Sequence, residues 1–444
     1  MPSLPAQPSM PELPAAVDLD DLLAPFTPRG IDLGLDRLQR ALAAGGDPQR
    51  RFAAVQVAGT NGKGSIATFL HAILRAAGLR CGLYSSPHLV SWCERILLND
   101  AWIDPASLRN DLSRWAAIGL AHKLTSFELF TAAAFDRFAA AGLDVVVLEV
   151  GLGGRLDATT AHPDRPVVGF GAIGLDHCEQ LGGDLASIAS EKAGVLTPGC
   201  VAISGPQSPA AGEVLAAAAR RLGAELRWVS PLPPPAEGGP QLGLAGDVQR
   251  SNAAVAVAMA QALAERAWPR PPSPSLEAPI RAGLAAARWP GRLEQRRFRG
   301  VPLLLDGAHN PAAASVLRRE LDLLGPGPRC WLIGIQRYKD GAAVLQALLA
   351  PADRALIVPI PEHPSWSLDE LAAACPQLAG QLQSSREPLA GLTQLVRLTQ
   401  LVGLTQLVGP AELAAAGAGT APPLPVVAGS LYLLGAVIPL LDPR

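Results

Sequence analysis

Lysine is nearly missing from this 444-residue chain: Lys63, Lys123, Lys192 and Lys339 are the only four, and the remaining 33 basic residues are arginine. Where guanidinium serves almost every generic cationic role, a surviving ammonium suits a site that needs a compact point charge or a modifiable amine. An excess of either charge is also lacking. Lys plus Arg total 37 against 39 Asp plus Glu, a net charge of −2, which excludes a general attraction to nucleic acid or an anionic membrane and points to a small-molecule partner. The six cysteines, at 81, 93, 178, 200, 330 and 375, form no CxxC pair. That excludes zinc-finger spacing and fits a reduced, cytoplasmic setting. No apolar run reaches the ~20 residues of a membrane span. The longest near the C-terminus, Val426 to Leu441, is broken by Gly429, Ser430, Gly435 and Pro439 and reads as a buried strand and the start of a helix. Five prolines before Pro25, and no Lys or Arg until Arg29, argue against a secretory signal.

What is present is globular: 49% hydrophobic and 17% charged residues predict two or three cored domains. Apolar runs alternate with glycine turns and Ala/Leu helices, which predicts an α/β fold with a mostly parallel sheet. Buried strands are expected at Ala53–Val57, Asp144–Glu149, Val167–Ile173, Cys200–Ser204, Val301–Leu305, Cys330–Ile333, Ala355–Val358 and Pro425–Ala428. The runs PLPPPAEGGP from Pro231 and Trp268 to Ser275 read as surface excursions. A boundary near Glu294 to Arg299 gives domains of 1–295 and 296–444. Three copies of a six-residue unit, GLTQLV, RLTQLV and GLTQLV, fill 391–408. Six residues advance a helix by ~600°, so equivalent positions should spiral round it, and the repeat reads as a tandem expansion in a loop or helix end.

Strand, glycine turn and helix meet at Ala58-Gly59-Thr60-Asn61-Gly62-Lys63-Gly64-Ser65. Glycines turn backbone N–H groups inward and the helix N-terminus adds partial positive charge, so this turn is suited to phosphate, with Lys63 on the outer phosphates and Ser65 on a phosphate or Mg²⁺. The strict GxxxxGK[ST] form is not met, since Val57 stands at its first glycine. Glu149 ends a strand and is either a Mg²⁺ ligand or an acid paired with Arg155. His177, after Gly174-Leu-Asp, is either functional or a turn residue. Lys192 precedes Gly194 and could be an ordinary C-terminal helix cation.

AGTNGKGS at 58–65, SSPHL at 85–89 with ERI at 94–96, LEVGLGGRLDAT at 148–159, IGLDH at 173–177, EKAG at 191–194, PGR at 290–292, DGAHNP at 306–311 and GSLYLLG at 429–435 together resemble the folylpolyglutamate synthase/dihydrofolate synthase family of the Mur ligase superfamily. The resemblance implies an N-terminal P-loop-type ATPase domain with a smaller Rossmann-like C-terminal domain, and an ATP- and Mg²⁺-dependent ligase that activates a pteroate or folate carboxylate as an acyl phosphate for attack by L-glutamate. It implies nucleotide contacts at Gly59, Thr60, Asn61, Gly62, Lys63, Gly64, Ser65, Asn252, Arg292 and Asp306, and Mg²⁺ ligands at Ser86, Glu149 and His177. Lys192 would be carbamylated and His309 would contact glutamate or phosphate, although a plain helix-entry role is open for His309. Pterin-side contacts would come from Asp32, Leu33, Gly34, Leu35, Thr125, Ser126, Phe127, Glu128, Leu156, Asp157 and Ala158. Ser86–Arg95 would be a mobile loop over the folate, and Lys339-Asp340 a pair near the nucleotide. A cytoplasmic monomer is implied. Two departures, Ser91 with Cys93 and Gly171-Ala172, fall in segments read as substrate-side. A cell-wall Mur ligase would carry a further domain before the phosphate turn, where 57 residues precede Ala58. A non-catalytic nucleotide-binding protein would dispense with Glu149 or Lys192.

Overall fold

The computed structural model describes residues 12–266, 275–325, 327–407 and 424–443. The chain divides between Trp289 and Pro290 into two compact units. That point lies a few residues before the sequence-based boundary near Glu294 to Arg299, a stretch in which Glu294–Phe298 is a strand of the second unit's sheet.

The first unit's sheet has eight strands: β1 (Ala54–Ala58), β2 (Cys81–Tyr84), β3 (Ile96–Leu98), β4 (Ala101–Trp102), β5 (Val145–Glu149), β6 (Val167–Phe170), β7 (Val201–Ser204) and β8 (Glu225–Trp228). Their order is β4-β3-β2-β5-β1-β6-β7-β8, parallel throughout except for the β2–β3–β4 hairpins at one edge. Central strands are almost wholly apolar because both faces are covered; Gln56 in β1 is buried but donates to the Thr159 and Thr160 hydroxyls. Period-two alternation sorts them: Val55, Val57, Val145 and Val147 pack with the helices Lys63–Ala76, Val248–Glu265 and Glu277–Ala286. Val146 and Leu148 face Asp36–Ala44, Pro105–Ala121 and Ser126–Ala140 on the other side. Helix starts follow local chemistry. Asp104 before Pro105, Ser208 before Pro209 and Thr125 with Glu128 each accept a first-turn N–H, pairing donors that a helix leaves open.

The second unit carries β9 (Glu294–Phe298), β10 (Val301–Leu305), β11 (Cys330–Ile333), β12 (Arg354–Ile357), β13 (Leu382–Ser384) and β14 (Pro425–Ala428), ordered β13-β12-β11-β14-β10-β9, with only β9 antiparallel. The Val426 to Leu441 run is β14 followed by the helix Leu431–Val437. Trp268 to 274 lies outside the described residues.

The repeat forms much of the helix Pro388–Leu407, with Val408 outside the described residues, so it is more than a loop or frayed helix end. Its phase drifts as the six-residue period requires. Gly391, Leu392 and Leu395 are buried, but the stripe meets Thr399 in the second copy while Leu401, the equivalent of Leu395, is 60% exposed. Thr399 tolerates this by donating its hydroxyl to the Leu395 carbonyl at 2.8 Å.

Candidate active site

In parallel sheets ligand chemistry gathers beyond the strands' carboxyl ends. The three central neighbours β5, β1 and β6 end in Glu149, the Gly59–Gly62 turn and the Gly171–His177 segment, and Glu149 is level with Val57.

The turn is held from β6. Thr60 and Asn61 donate their N–H groups to the Ala172 carbonyl at 2.9 and 3.0 Å, and Thr60 Oγ1 donates to the Gly174 carbonyl at 2.9 Å. Gly59 has φ +141°, and a Cβ there would lie 3.0 Å from the Gly171 backbone, so no side chain fits. At Gly62, φ +84°, a Cβ would lie 2.4 Å from Asn252 Oδ1. The Asn252 amide in turn donates to Gln249 Oε1 at 2.9 Å. Lys63 opens the following helix and donates to the Thr60 carbonyl at 3.0 Å. The resulting backbone concavity at a helix N-terminus fits phosphate.

Glu149 is buried, and its Oε2 accepts the Ser86 N–H at 3.3 Å. Its Oε1 would lie 3.5 Å from a Cβ added to Gly64, so the carboxylate faces the helix turn next to the phosphate cradle. Arg155 does not neutralise it, because Arg155 pairs with Glu191 at 2.7 Å. A carboxylate held there, on the Ser86 backbone, suits a hard divalent cation. Among the described residues no group of three or more His, Cys, Asp or Glu that could hold a metal ion stands together. His177 takes a left-handed conformation, φ 52°, with its ring 3.9 Å from Asp176.

Lys192 is not a surface helix cation. It is 4% exposed and Nζ donates to the Gly59 carbonyl at 2.9 Å. Burial, reinforced by the Lys63 charge, pushes its pKa down to about 7, against the pull of Asp176 and Asp157. The helix bearing it is pressed on the Gly151–Gly154 turn: a Cβ on Gly154 would lie 2.7 Å from the Glu191 carbonyl. That turn is organised by Asp157, which accepts N–H bonds from Gly151, Leu152 and Thr159. Burial raises the Asp157 pKa in spite of these donors.

On the pterin side, Arg37 joins two predicted segments, pairing with Asp32 at 2.8 Å and Glu128 at 2.7 Å. Thr125 and Glu128 close a capping box that sets the start of the helix Ser126–Ala140, and Phe127 lies 6.3 Å from the Tyr84 ring. Leu33 packs beside Leu152 and Leu181, and Ala158 is buried; Leu35 packs against the opposite core. Gly34 lies beside the Arg37 guanidinium. Leu156 lies in the turn before Asp157, which N-caps the 3₁₀ turn Ala158–Ala161.

The Ser86–Arg95 loop is tied down by Glu94, whose carboxylate accepts the N–H groups of Leu89, Val90 and Ser91. Arg95 stacks on Trp92 at 4.4 Å and donates to His88 Nδ1 at 3.0 Å. Burial, with the Arg95 charge, pushes the His88 pKa down to about 3. Of the two departures the first is internal, whereas in the second Gly171 is buried and Ala172 is exposed. Ser91 caps the turn Trp92–Arg95 and, like Cys93, is fully buried. Gly171-Ala172 packs on the phosphate turn: a Cβ on Gly171 would lie 2.3 Å from the Asn61 carbonyl oxygen.

Arg292, Asp306 and His309 group in the second unit. Asp306 accepts from the Leu293 and Ala308 N–H groups, and burial raises its pKa while Arg292 opposes the rise. His309 Nδ1 donates to the Gly307 carbonyl at 2.8 Å, and Asn310 caps the helix Pro311–Leu324. Lys339 is buried against Tyr338, whereas Asp340 serves as a helix cap. Sequence reading did not single out Arg37, Asp176, Gln207, Gln249 or Trp289, whose indole lies 3.1 Å from a Cβ placed on Gly64. Arg37, two positions after the DLGL motif, was the one discoverable as the partner for Asp32.

A sequence profile described as the dihydrofolate synthetase C-terminal domain matches residues 292–366. The folylpolyglutamate synthase of Lacticaseibacillus casei is 34% identical over 357 residues, covering 74% of this chain and 81% of its own. The chain belongs to the folylpolyglutamate synthase/dihydrofolate synthase family. A dihydrofolate synthase/folylpolyglutamate synthase of Mycobacterium tuberculosis is 35% identical over 354 residues, 71% of this chain and 72% of its own. The fold is shared with the Mycobacterium tuberculosis folylpolyglutamate synthase complexed with ADP, with TM-score 0.83, 29% identity and coverage of 96% and 98%. The Yersinia pestis bifunctional enzyme complexed with AMPPNP and Mn ion matches with TM-score 0.78, 30% identity and coverage of 96% and 99%. Family members of these names are ligases. No described helix is long and apolar enough to cross a membrane.

Proposed function

We propose that this protein is an ATP-dependent amide ligase joining L-glutamate to dihydropteroate, to the γ-carboxylate of reduced folates, or to both. The observation that carries the reading is the convergence, at the adjacent tips of β5, β1 and β6, of a phosphate cradle, a buried carboxylate facing it and a buried amine bonded to its first carbonyl. The relatives complexed with ADP, and with AMPPNP and Mn, support ATP and a divalent cation such as Mg²⁺ as cofactors. The Asp32 and Asp157 segments are both retained, which favours acceptance of both acids. A cytoplasmic monomer with no nucleic-acid or membrane partner completes the proposal.

The γ-phosphoryl group passes to a substrate carboxylate oxygen, releasing ADP and leaving an acyl phosphate. The glutamate amine then attacks the carbonyl carbon, the C–N bond forms, the C–O bond to phosphate breaks, and the amine proton is lost to solvent or a base. The helix-opening N–H groups that follow Gly62, with Lys63, would face the oxygens on which charge accumulates, and such fixed donors are typically worth ~2.7–4 kcal/mol each. Ser86, Glu149 and His177 would hold Mg²⁺, which neutralises phosphate charge when bound. With its pKa lowered to about 7, Lys192 has access near neutrality to the neutral amine, the form that reacts with CO₂, and its carbamate would present an anion toward a second cation. Arg292 and Asp306 would complete the nucleotide contacts, with His309 toward glutamate or phosphate.

The test is direct: purified protein with ATP, Mg²⁺ and L-glutamate, offered dihydropteroate or tetrahydrofolate in parallel, with product mass recorded. A one-glutamate mass gain coupled to phosphate release is expected with one or both acids. Phosphate release without a ligated product would sink the proposal.

A further inference from the structure

Gln207, just beyond β7, belongs to none of the motifs above, yet its amide grips the β6 tail from two sides. Nε2 donates to the Gly171 carbonyl at 3.0 Å and to Ser204 Oγ at 3.2 Å, while Oε1 accepts the Ile173 N–H at 2.9 Å. Ser204 is fully buried and donates its own hydroxyl to the Gly205 carbonyl at 3.0 Å, which leaves its oxygen free to accept and fixes the Gln207 amide in this sense.

Between the two gripped residues stands Ala172. Its carbonyl accepts both phosphate-turn amides, Thr60 at 2.9 Å and Asn61 at 3.0 Å. One residue further on, Gly174 donates its N–H to Thr60 Oγ1 at 3.0 Å. Gly171, having no side chain, lets the Asn61 carbonyl come close enough that a Cβ would intrude at 2.3 Å. The turn therefore takes its shape from a four-residue segment that is itself pinned at Gly171 and Ile173 by one side chain.

We propose that Gln207 is a positioning residue for nucleotide binding: it acts through the Gly171–Ile173 backbone to hold the carbonyl that anchors the Thr60 and Asn61 amides, and so keeps the turn in the shape that presents the helix-opening Gly62–Ser65 amides to phosphate. The inference rests on the nucleotide-binding reading and adds a residue that touches no substrate. A displaced Ala172 carbonyl would leave the Thr60 and Asn61 amides without their partner, and the loosened turn would carry the helix-opening amides out of position.

Two variants test it. Gln207→Met keeps the length of the side chain and loses all three bonds. Gln207→Glu keeps the acceptor for Ile173 but sets an oxygen against the Gly171 carbonyl. Titration calorimetry with MgADP, initial-rate kinetics and thermal melting are read together. We expect MgADP to bind about tenfold more weakly and KM for ATP to rise similarly in both variants. KM for glutamate should stay within twofold, and the melting temperature should fall by only a few degrees. If Gln207→Met melts below the assay temperature, the glutamate variant carries the comparison. Binding within twofold of the unaltered protein in both variants overturns the inference alone. A parallel rise in every KM with a collapsed melting temperature also overturns it, since a loosened fold gives that pattern. If the unaltered protein fails to bind MgADP, the functional reading falls with it.

Discussion

Replacing Lys192 separates its proposed chemistry from mere packing. With a pKa of about 7, its amine is about 90% neutral at pH 8 and about 10% neutral at pH 6, whereas an ordinary lysine near 10.4 is under about 1% neutral at pH 8. Carbamate formation consumes the neutral amine, so ¹³C-bicarbonate should give a carbamate carbon resonance at pH 8 that fades toward pH 6. Lys192→Met should abolish the resonance and lower kcat at least about 100-fold, the scale of losing one fixed charge contact at the reacting phosphate. A short carboxylate such as acetate should partly restore the rate of Lys192→Ala, and Lys192→Arg should not recover it. In CO₂-free buffer the sign of the stability effect is set by protons: between pH 7 and 10.5 the unfolded chain binds the proton that the folded state releases. Unfolding free energy from this group therefore rises with pH across that window, with its penalty greatest below pH 7, and Lys192→Met should flatten the slope. An active enzyme with no carbamate signal at pH 8, or a Lys192→Ala variant keeping more than half its activity, refutes the reasoning.

Glu149→Gln should lower ligation by about 100-fold or more while metal-free ADP binding stays within a few-fold, as measured by coupled phosphate release and calorimetry. Gly59→Ala meets both φ +141° and the Gly171 backbone; it should cost about 1–3 kcal/mol in denaturant unfolding and remove measurable ADP binding. Arg37→Ala leaves Glu128 buried without its guanidinium partner and should raise KM for the folate or pteroate acid with little change in KM for ATP.

The strands at the heart of the site were readable because parallel strands covered on both faces are nearly continuous apolar runs: Ala54–Ala58, Val145–Glu149 and Val167–Phe170 lie within three residues of expectation at each end. Edge strands were not. Glu225–Trp228 carries charge on alternate residues, Glu294–Phe298 has three charged residues in five, and Leu382–Ser384 is three residues long, so none produces the run that signals burial. Glycine spacing and strand ends pointed to the phosphate turn and Glu149, whereas the role expected of Lys192 came from the family resemblance. Three-dimensional neighbours such as Gln207, Gln249 and Trp289 left no trace, because a solitary amide or indole gains meaning only from the backbone it meets. The same holds for Ser91 and Cys93, whose inward orientation follows from the Glu94 cap and not from their chemical type.

The drifting phase of the Pro388–Leu407 helix has an evolutionary corollary. Each whole copy added or deleted beyond Thr399 rotates the next leucines to a new azimuth, so lengthening never builds a continuous adhesive ridge, while the anchoring turn at Gly391 to Leu395 keeps its seat on Leu332. Slippage at the gene level in units of eighteen nucleotides would change the helix length without disturbing the docked end. Orthologues from close relatives should accordingly differ in copy number more readily than in the residues of that first copy.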